Sequence, residues 1–297
     1  MRFSKLMHID LSTLVPGEPL IVELQVLTSR RDDLKADWVR GVNRLRALLG
    51  GFFPGLEAAL DYSNRSPLIL LTGFQTPAAL RAADAEAIRG FLIEGGAPSR
   101  VVEAIVAKAL TAASEQTVAL PTEAFSAPLV ARLAGDLLAL DREVRELDKH
   151  IAGRFAQHRH ALRITSVTGF GSILGAQLLA DTDGDPLRVF GTPARLAAYA
   201  GLAPVPRDSG RVSGNLRRPK RYHRRLQNVF HLAAFASISI DGPSRDFYRR
   251  KRAEGKRHRQ AVIALARRLV DVIWALLRDE RVFEPSLPAP SRERVAA

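Results

Sequence analysis

Two serines stand in one short loop, each followed by glycine and set among arginines: Arg207-Asp-Ser209-Gly210-Arg211-Val-Ser213-Gly214. A serine hydroxyl attacks a phosphodiester when it is activated and the phosphate charge is neutralised. Arg207 and Arg211 flank Ser209 as such neutralisation requires, and Ser213 is the second candidate. The other reading of the same residues is a flexible basic loop whose serines only solvate it.

Upstream, Thr168-Gly169-Phe170-Gly171-Ser172 lies between an apolar run (Ile164, Val167) and a helical one (Ile173, Leu174, Ala176, Leu178, Leu179). Gly169 and Gly171 before a helix make a tight turn whose amides can receive a backbone phosphate. The turn resembles the hairpin of a helix-hairpin-helix DNA-binding unit, and reads otherwise as a plain interhelical turn. The acidic run Asp181-Thr-Asp-Gly-Asp185 fails as an EF-hand. Its glycine is fourth rather than sixth, and Thr192 stands where a bidentate Glu is needed. It reads as a solvated turn.

Charge separates these residues from the rest of the chain. Residues 207–268 hold 18 Lys and Arg against 4 Asp and Glu, a net of +14, while all 297 residues net +13. The remainder therefore sums to −1, a near-neutral body carrying one strongly basic segment. Such a segment suits a polyanion, nucleic acid first, because Lys and Arg displace condensed counterions. Besides Arg207 and Arg211, the expected phosphate contacts are Arg217, Arg218, Lys220, Arg221, Arg224, Arg225, Arg249, Arg250, Lys251, Arg252, Lys256, Arg257 and Arg259. His223 and His258, single histidines among arginines, read as further phosphate contacts rather than metal ligands.

The elements that must position these groups are helices. Ala and Leu are abundant, there is no cysteine, and no 18-residue apolar run could span a membrane. Met1–Asp10 has no apolar core of a signal peptide, so a cytoplasmic location is expected. A seam of three- and four-residue steps, with Arg31 breaking one of them, runs Leu20, Leu24, Leu27, Leu34, Trp38, Val42, Leu45, Leu49 and stops at Gly50-Gly51 and Pro54. Residues 54–125 read as short helices, with Thr76-Pro77 opening one and Pro121 and Pro128 bracketing a loop. A second seam, Val130, Leu133, Leu137, Leu140, Val144, Leu147, Ile151, keeps the 3, 4 alternation of a coiled coil. Its partner is either the 20–49 helix or a second chain. Thr192-Pro193 caps a helix ended by Gly201. Helices are expected over Tyr222–Ile240, Pro243–Arg252 and Gln260–Arg278.

Two segments, LAAYAGLAPVPRDSG (196–210) and FYRRKRAEGKRHRQAVIALARRLVDVIWALLRD (247–279), resemble the C-terminal domain of a family of bacterial insertion-sequence transposases. The likeness runs from about Leu20 to Pro285. It implies an N-terminal RuvC-like domain with four acidic residues around magnesium, a helical linker, a C-terminal serine domain, and a bridge RNA that selects target and donor DNA. The family serine lies after the GLAP-type segment, directly before a glycine, which favours Ser209 over Ser213. No metal ligand and no cofactor are assigned within this chain; magnesium is expected for the complete family site. The leader offers only Asp10 and Glu18 before Glu23, and Asp32-Asp33-Asp37 fall on the linker helix, so none of the four acids is assigned.

The expected fold is mostly α: a helical linker and coiled coil followed by a helical DNA-binding domain with a helix-hairpin-helix-like turn. Its parts are 1–19, a leader resembling the end of a RuvC-like domain; 20–160, linker and coiled coil; 161–285, serine transposase domain; and 286–297, a disordered tail. The expected function is DNA transposition by a truncated member, a fragment that binds DNA and keeps the serine but is not competent in isolation. Its expected partners are DNA, a bridge RNA and a homo-oligomer or a mixed oligomer with full-length transposase. The alternatives are a non-catalytic nucleic-acid-binding and oligomerisation module that modulates full-length transposase, and a structural dimer whose basic face meets another acidic partner.

Overall fold

The computed structural model describes residues 18–206, 216–217 and 219–284. They are mostly α-helical, and the chain divides into two compact units: residues 29–148, and residues 1–28 with 149–297. The boundary expected between 160 and 161 falls inside the second of these.

In the 29–148 unit, two long helices carry the seams, α1 (Pro19–Gly50) and α7 (Glu123–Phe155). Short helices α2 (Pro54–Ala59), α3 (Arg65–Gly73), α4 (Pro77–Ala82), α5 (Ala85–Glu94) and α6 (Ser99–Glu115) fill the interval. Local chemistry sets their ends. Pro54 and Pro77 sit in the first turns of α2 and α4, where the missing N–H costs nothing. Thr76 Oγ1 accepts from Ala79 N at 3.1 Å, and Asp84 Oδ1 from Ala87 N at 2.6 Å. Leu45, Leu49, Phe52, Phe53, Leu56 and Leu68 are fully buried at the centre of one core. Pro128 does not close a loop as expected. It lies inside α7, and the helix forgoes one backbone hydrogen bond there.

The coiled-coil partner is the chain's own α1. Arg31 pairs with Asp148 and Gly41 lies against Leu137, so α7 numbers fall as α1 numbers rise, and the helices run antiparallel. Leu137 presses on Gly41, where a β-carbon would come within 2.7 Å of Leu137 Cδ2. Val130, Leu137, Val144 and Ile151, one per heptad, are buried. The alternate seam positions Leu133, Leu140 and Leu147 are half-buried, so α1 covers the seam in part within the chain. Leu137→Asp should accordingly unfold the 29–148 unit, because an unpaired carboxylate buried there costs on the order of 4 kcal/mol. Urea melting followed by circular dichroism checks this. A folded variant whose only change is a smaller oligomer would overturn the intrachain assignment.

The other unit is built on α8 (Ala161–Thr165), α9 (Ser172–Ala180), α10 (Pro186–Phe190), α11 (Pro193–Tyr199), α12 (Arg224–Ser237), α13 (Pro243–Ala253) and α14 (His258–Arg278). The apolar stripe of α14 (Leu265, Leu269, Ile273, Leu277) is buried, as are Leu226, Val229, Phe230 and Ala233 of α12. Phe170 meets Phe230 edge-on at 5.7 Å. The first turns of α1 belong here too: Gln25 donates to the Ala180 carbonyl at 3.1 Å, and Glu23 pairs with Arg154.

Between α7 and α8, His158 and His160 are buried, with His160 only 4% exposed. The His160 amide donates to His158 Nδ1 at 3.2 Å, while His160 Nε2 has no hydrogen-bond partner among the described residues. Burial, reinforced by Arg159 and by His158 itself, lowers the His160 pKa to about 4 and lowers that of His158 as well. A depressed histidine contributes nothing above its unfolded pKa of ~6.5, where both states are neutral. As pH falls from ~6.5 towards 4 the unfolded chain takes up a proton the folded chain refuses, and stability drops by up to about 3 kcal/mol. Denaturant midpoints should fall across that window and fall less for His160→Gln. Equal pH slopes for the two proteins would refute this.

Candidate nucleic-acid interface

The loop that holds both serines starts and ends at one short ladder. β1 (Val205–Pro206) pairs antiparallel with β2 (Leu216–Arg217), in the register Val205 to Arg217 and Pro206 to Leu216. The ladder brings the two ends of the 207–215 loop together. Ser209, Ser213, Arg207 and Arg211, with Arg218, lie outside the described residues.

The base of that loop is closely fixed. Thr192 Oγ1 caps α11, and Gly201 ends it with φ +66. A β-carbon on Gly201 would lie 2.5 Å from Tyr222 Cγ, so the Tyr222 ring rests on bare backbone. The His223 amide donates to the Tyr199 carbonyl at 2.8 Å, and the two rings stack at 5.2 Å. His223 Nδ1 accepts from Leu226 N at 3.2 Å and so caps α12. With Nδ1 accepting, the neutral ring carries its proton on Nε2.

The three aspartates of the 181–185 run turn to different partners. Asp185 Oδ1 caps α10 through Leu187 N and Arg188 N, and Asp183 pairs with Arg188. Asp181 is not solvated as expected. Its side chain is 7% exposed and faces α12, 3.6 Å from Arg225 Nε and 3.9 Å from His223 Nδ1. Arg225 also donates to Thr28 Oγ1 at 3.0 Å. Arg225, expected as a phosphate contact, is thus also a structural tie, with its side chain still 35% exposed.

The other expected cations divide by surroundings. Arg217, Lys220, Arg221, Arg224, Arg249, Arg250, Arg257 and Arg259 are exposed, and among the described residues none has a carboxylate partner. Arg250 sits over the Phe247 ring at 5.2 Å. Lys251 and Lys256 both pair with Glu254, and Arg252 donates to the Lys256 carbonyl at 3.1 Å. Their charge is partly spent within α13 and the turn behind it. No residue of α13 is buried, and Tyr248 Oη meets His258 Nδ1 at 2.8 Å where α13 lies against α14. Sequence counting could not separate paired from unpaired cations. The one available signal was Glu254, three residues from Lys251 and two from Lys256.

The two glycines of the turn differ. Gly169 has φ +96, and a β-carbon there would lie 2.1 Å from the Ala233 carbonyl of α12. Its glycine is accounted for by close backbone packing. Gly171 faces open space and precedes α9 in extended backbone, so it is the position left open to a ligand. Among the described residues no three His, Asp or Glu side chains could hold a metal ion. No helix among them is long and apolar enough to cross a membrane.

Residues 161–249 match the model of the transposase IS116/IS110/IS902 family, a span that includes the turn, the serine loop, α12 and the first half of α13. The chain is similar to the insertion element IS900 uncharacterized 42 kDa protein of Mycobacterium paratuberculosis, 50% identical over 94% of this chain and 70% of that protein. It is 46% identical to the insertion element IS116 uncharacterized 44.8 kDa protein of Streptomyces clavuligerus, over 95% of this chain and 70% of that one. It is 36% identical to the insertion element IS110 uncharacterized 43.6 kDa protein of Streptomyces coelicolor, over 92% of this chain and 67% of that protein.

Proposed function

The chain belongs to the IS116/IS110/IS902 family of insertion-element transposases, and from that premise we propose that it is a DNA-binding transposition protein whose chemistry is carried by Ser209. The observation that carries the reading is the set of exposed cations without carboxylate partners among the described residues that starts at the second strand of the ladder, Arg217, Lys220, Arg221, Arg224 and Arg249, inside the family-matched span. Lys and Arg placed so neutralise phosphates along a strand.

In the reaction proposed, Ser209 Oγ attacks phosphorus. The Oγ–P bond forms, the phosphorus–oxygen bond to the adjacent deoxyribose breaks, and the departing oxygen keeps the electron pair. The serine proton passes to a base and the departing oxygen gains one, leaving a phosphoserine-linked strand. Arg207 and Arg211 offset the charge but cannot take the proton. No step is routed through magnesium. Guidance by a bridge RNA, assembly with a second copy or a full-length relative, and a cytoplasmic setting complete the reading. The 130–151 seam buries Val130, Leu137, Val144 and Ile151 within the chain and leaves Leu133, Leu140 and Leu147 half-buried.

The second reading is a non-catalytic nucleic-acid-binding module that modulates full-length copies. It is favoured by the engagement of Asp181, Asp183 and Asp185 elsewhere, which leaves the described part of the loop base without a free carboxylate pair. The test is a denaturant-resistant protein–DNA adduct, sought with element DNA, its RNA and a full-length relative whose own serine is alanine. The adduct should form on this chain and be lost in Ser209→Ala. Survival in Ser209→Ala with loss in Ser213→Ala would move the chemistry to the other serine. Salt-sensitive DNA binding without any adduct would establish the second reading.

A further inference from the structure

We propose that the cleft between the start of α13, the middle of α14 and the turn before α9 is a pocket for one unstacked nucleotide of a bound strand. The cleft has a volume of about 600 Å3, inside the range of roughly 300–1,000 Å3 that small-molecule sites occupy. Its floor is apolar, made by Val167, Leu265 and Leu269, all buried, and Phe247 and Phe283 stand at its sides. Phe283 is held there by its amide, which donates to Ser166 Oγ at 2.8 Å.

Arg250 and Arg268 also line the cleft, and among the described residues neither guanidinium has an ion-pair partner. Two uncompensated cations beside an apolar floor call for a ligand with an anionic group and a flat apolar face. A nucleotide has both: phosphate for the guanidiniums, base for the apolar floor. Thr168 and Ser244 add hydroxyls, and Asp246, in the first turn of α13, adds an acceptor suited to an exocyclic amine. Asp241 lines the cleft too but is occupied by Arg245. The two carboxylates disfavour a purely anionic occupant such as inorganic phosphate.

A neighbouring cleft of about 770 Å3 shares Arg268, Val272 and Phe283 but lacks this character. Its Asp271 is paired with Arg267, its Glu280 with Arg163 and its Arg281 with Asp279. Residues 285–297 are a poorer occupant of the first cleft, because they carry Arg292 and Arg294 against one Glu293 and would add positive charge beside two arginines. In a regular duplex, base faces are stacked inside, so only an unpaired or extruded nucleotide can present one.

The proposal rests on the nucleic-acid reading above and is tested apart from it. Methyl spectra of the full chain are recorded with adenosine 5′-monophosphate, with adenosine and with inorganic phosphate, while duplex binding is measured in parallel. The nucleotide should shift the methyls of Val167, Leu265, Leu269 and Val272, and should bind at least about tenfold more tightly than adenosine. Arg268→Ala, at an exposed position, should keep a folded methyl spectrum and lose at least about tenfold in nucleotide affinity, the scale of one charge-assisted contact. Duplex binding without these shifts overturns the pocket and leaves the broader reading standing. Shifts without duplex binding support the pocket and remove the broader reading. Equal shifts with inorganic phosphate, unchanged affinity in Arg268→Ala, or nuclear Overhauser contacts from the Leu287 methyls to Leu265 each overturn the pocket.

Discussion

Gly169→Ala should be the most damaging single-methyl change in the 149–297 unit, lowering stability by about 2–4 kcal/mol. Two costs add. The residue sits at φ +96, outside the regions an L side chain enters readily, which costs on the order of 1 kcal/mol. The new methyl would meet the Ala233 carbonyl oxygen at 2.1 Å and its carbon at 3.0 Å. Those are helix backbone atoms and cannot rotate away, so α12 must shift, and overpacking of this kind costs roughly 1–3 kcal/mol or more. Against a total stability of about 5–15 kcal/mol, the loss is large. Gly171→Ala is the control, since its added methyl meets nothing within 4 Å. Equilibrium unfolding in urea should separate the two variants widely. Coincident curves for Gly169→Ala and the wild type would mean that α12 does not lie against this turn.

The second large effect is on DNA affinity. Binding through about six phosphates gives a log–log salt slope near −5, and affinity should fall about 10³-fold between 50 and 200 mM salt. Replacing Arg217, Lys220, Arg221, Arg224, Arg249 and Arg259 together by glutamine should flatten that slope to about half or less, with Arg207, Arg211, Arg250 and Arg257 left in place. All six are exposed and, among the described residues, free of carboxylate partners, so the variant should unfold at nearly the wild-type midpoint. Arg225→Gln should behave in the opposite way. It removes the tie from α12 to Asp181 and Thr28, lowering stability with little change in salt slope. Filter-binding titrations at several salt concentrations, paired with thermal melts, read both properties. A six-fold variant that keeps the wild-type slope would place the phosphate contacts elsewhere.

Much of the local architecture was legible in the chain, because it rests on short-range chemistry. Thr76-Pro77, Thr192-Pro193 and Gly50-Gly51 punctuate helices through φ preferences and side-chain caps that act within four residues. The α14 stripe announced itself by period, and its helix runs His258–Arg278 against an expected Gln260–Arg278. The basic segment needed only counting. Pro128 shows the limit of such punctuation, since a helix packed along its length tolerates one missing hydrogen bond.

What the sequence determined by itself was the helical class, the positions of most helices, the basic segment and the family likeness carried by 196–210 and 247–279. What only the tertiary structure decided was which groups meet across long separations. An a/d seam states that a stripe must be buried, not what buries it, and it is Gly41 of α1 that lies against Leu137 of this one. A count of arginines does not distinguish Arg224, exposed, from Arg225, turned toward Asp181 some forty residues earlier. Two glycines one residue apart look alike in a string, yet one lies against the backbone of α12 and the other faces open space. Propensity, capping and period are properties of neighbours in sequence, whereas pairing, burial and close backbone approach depend on residues that only folding brings together.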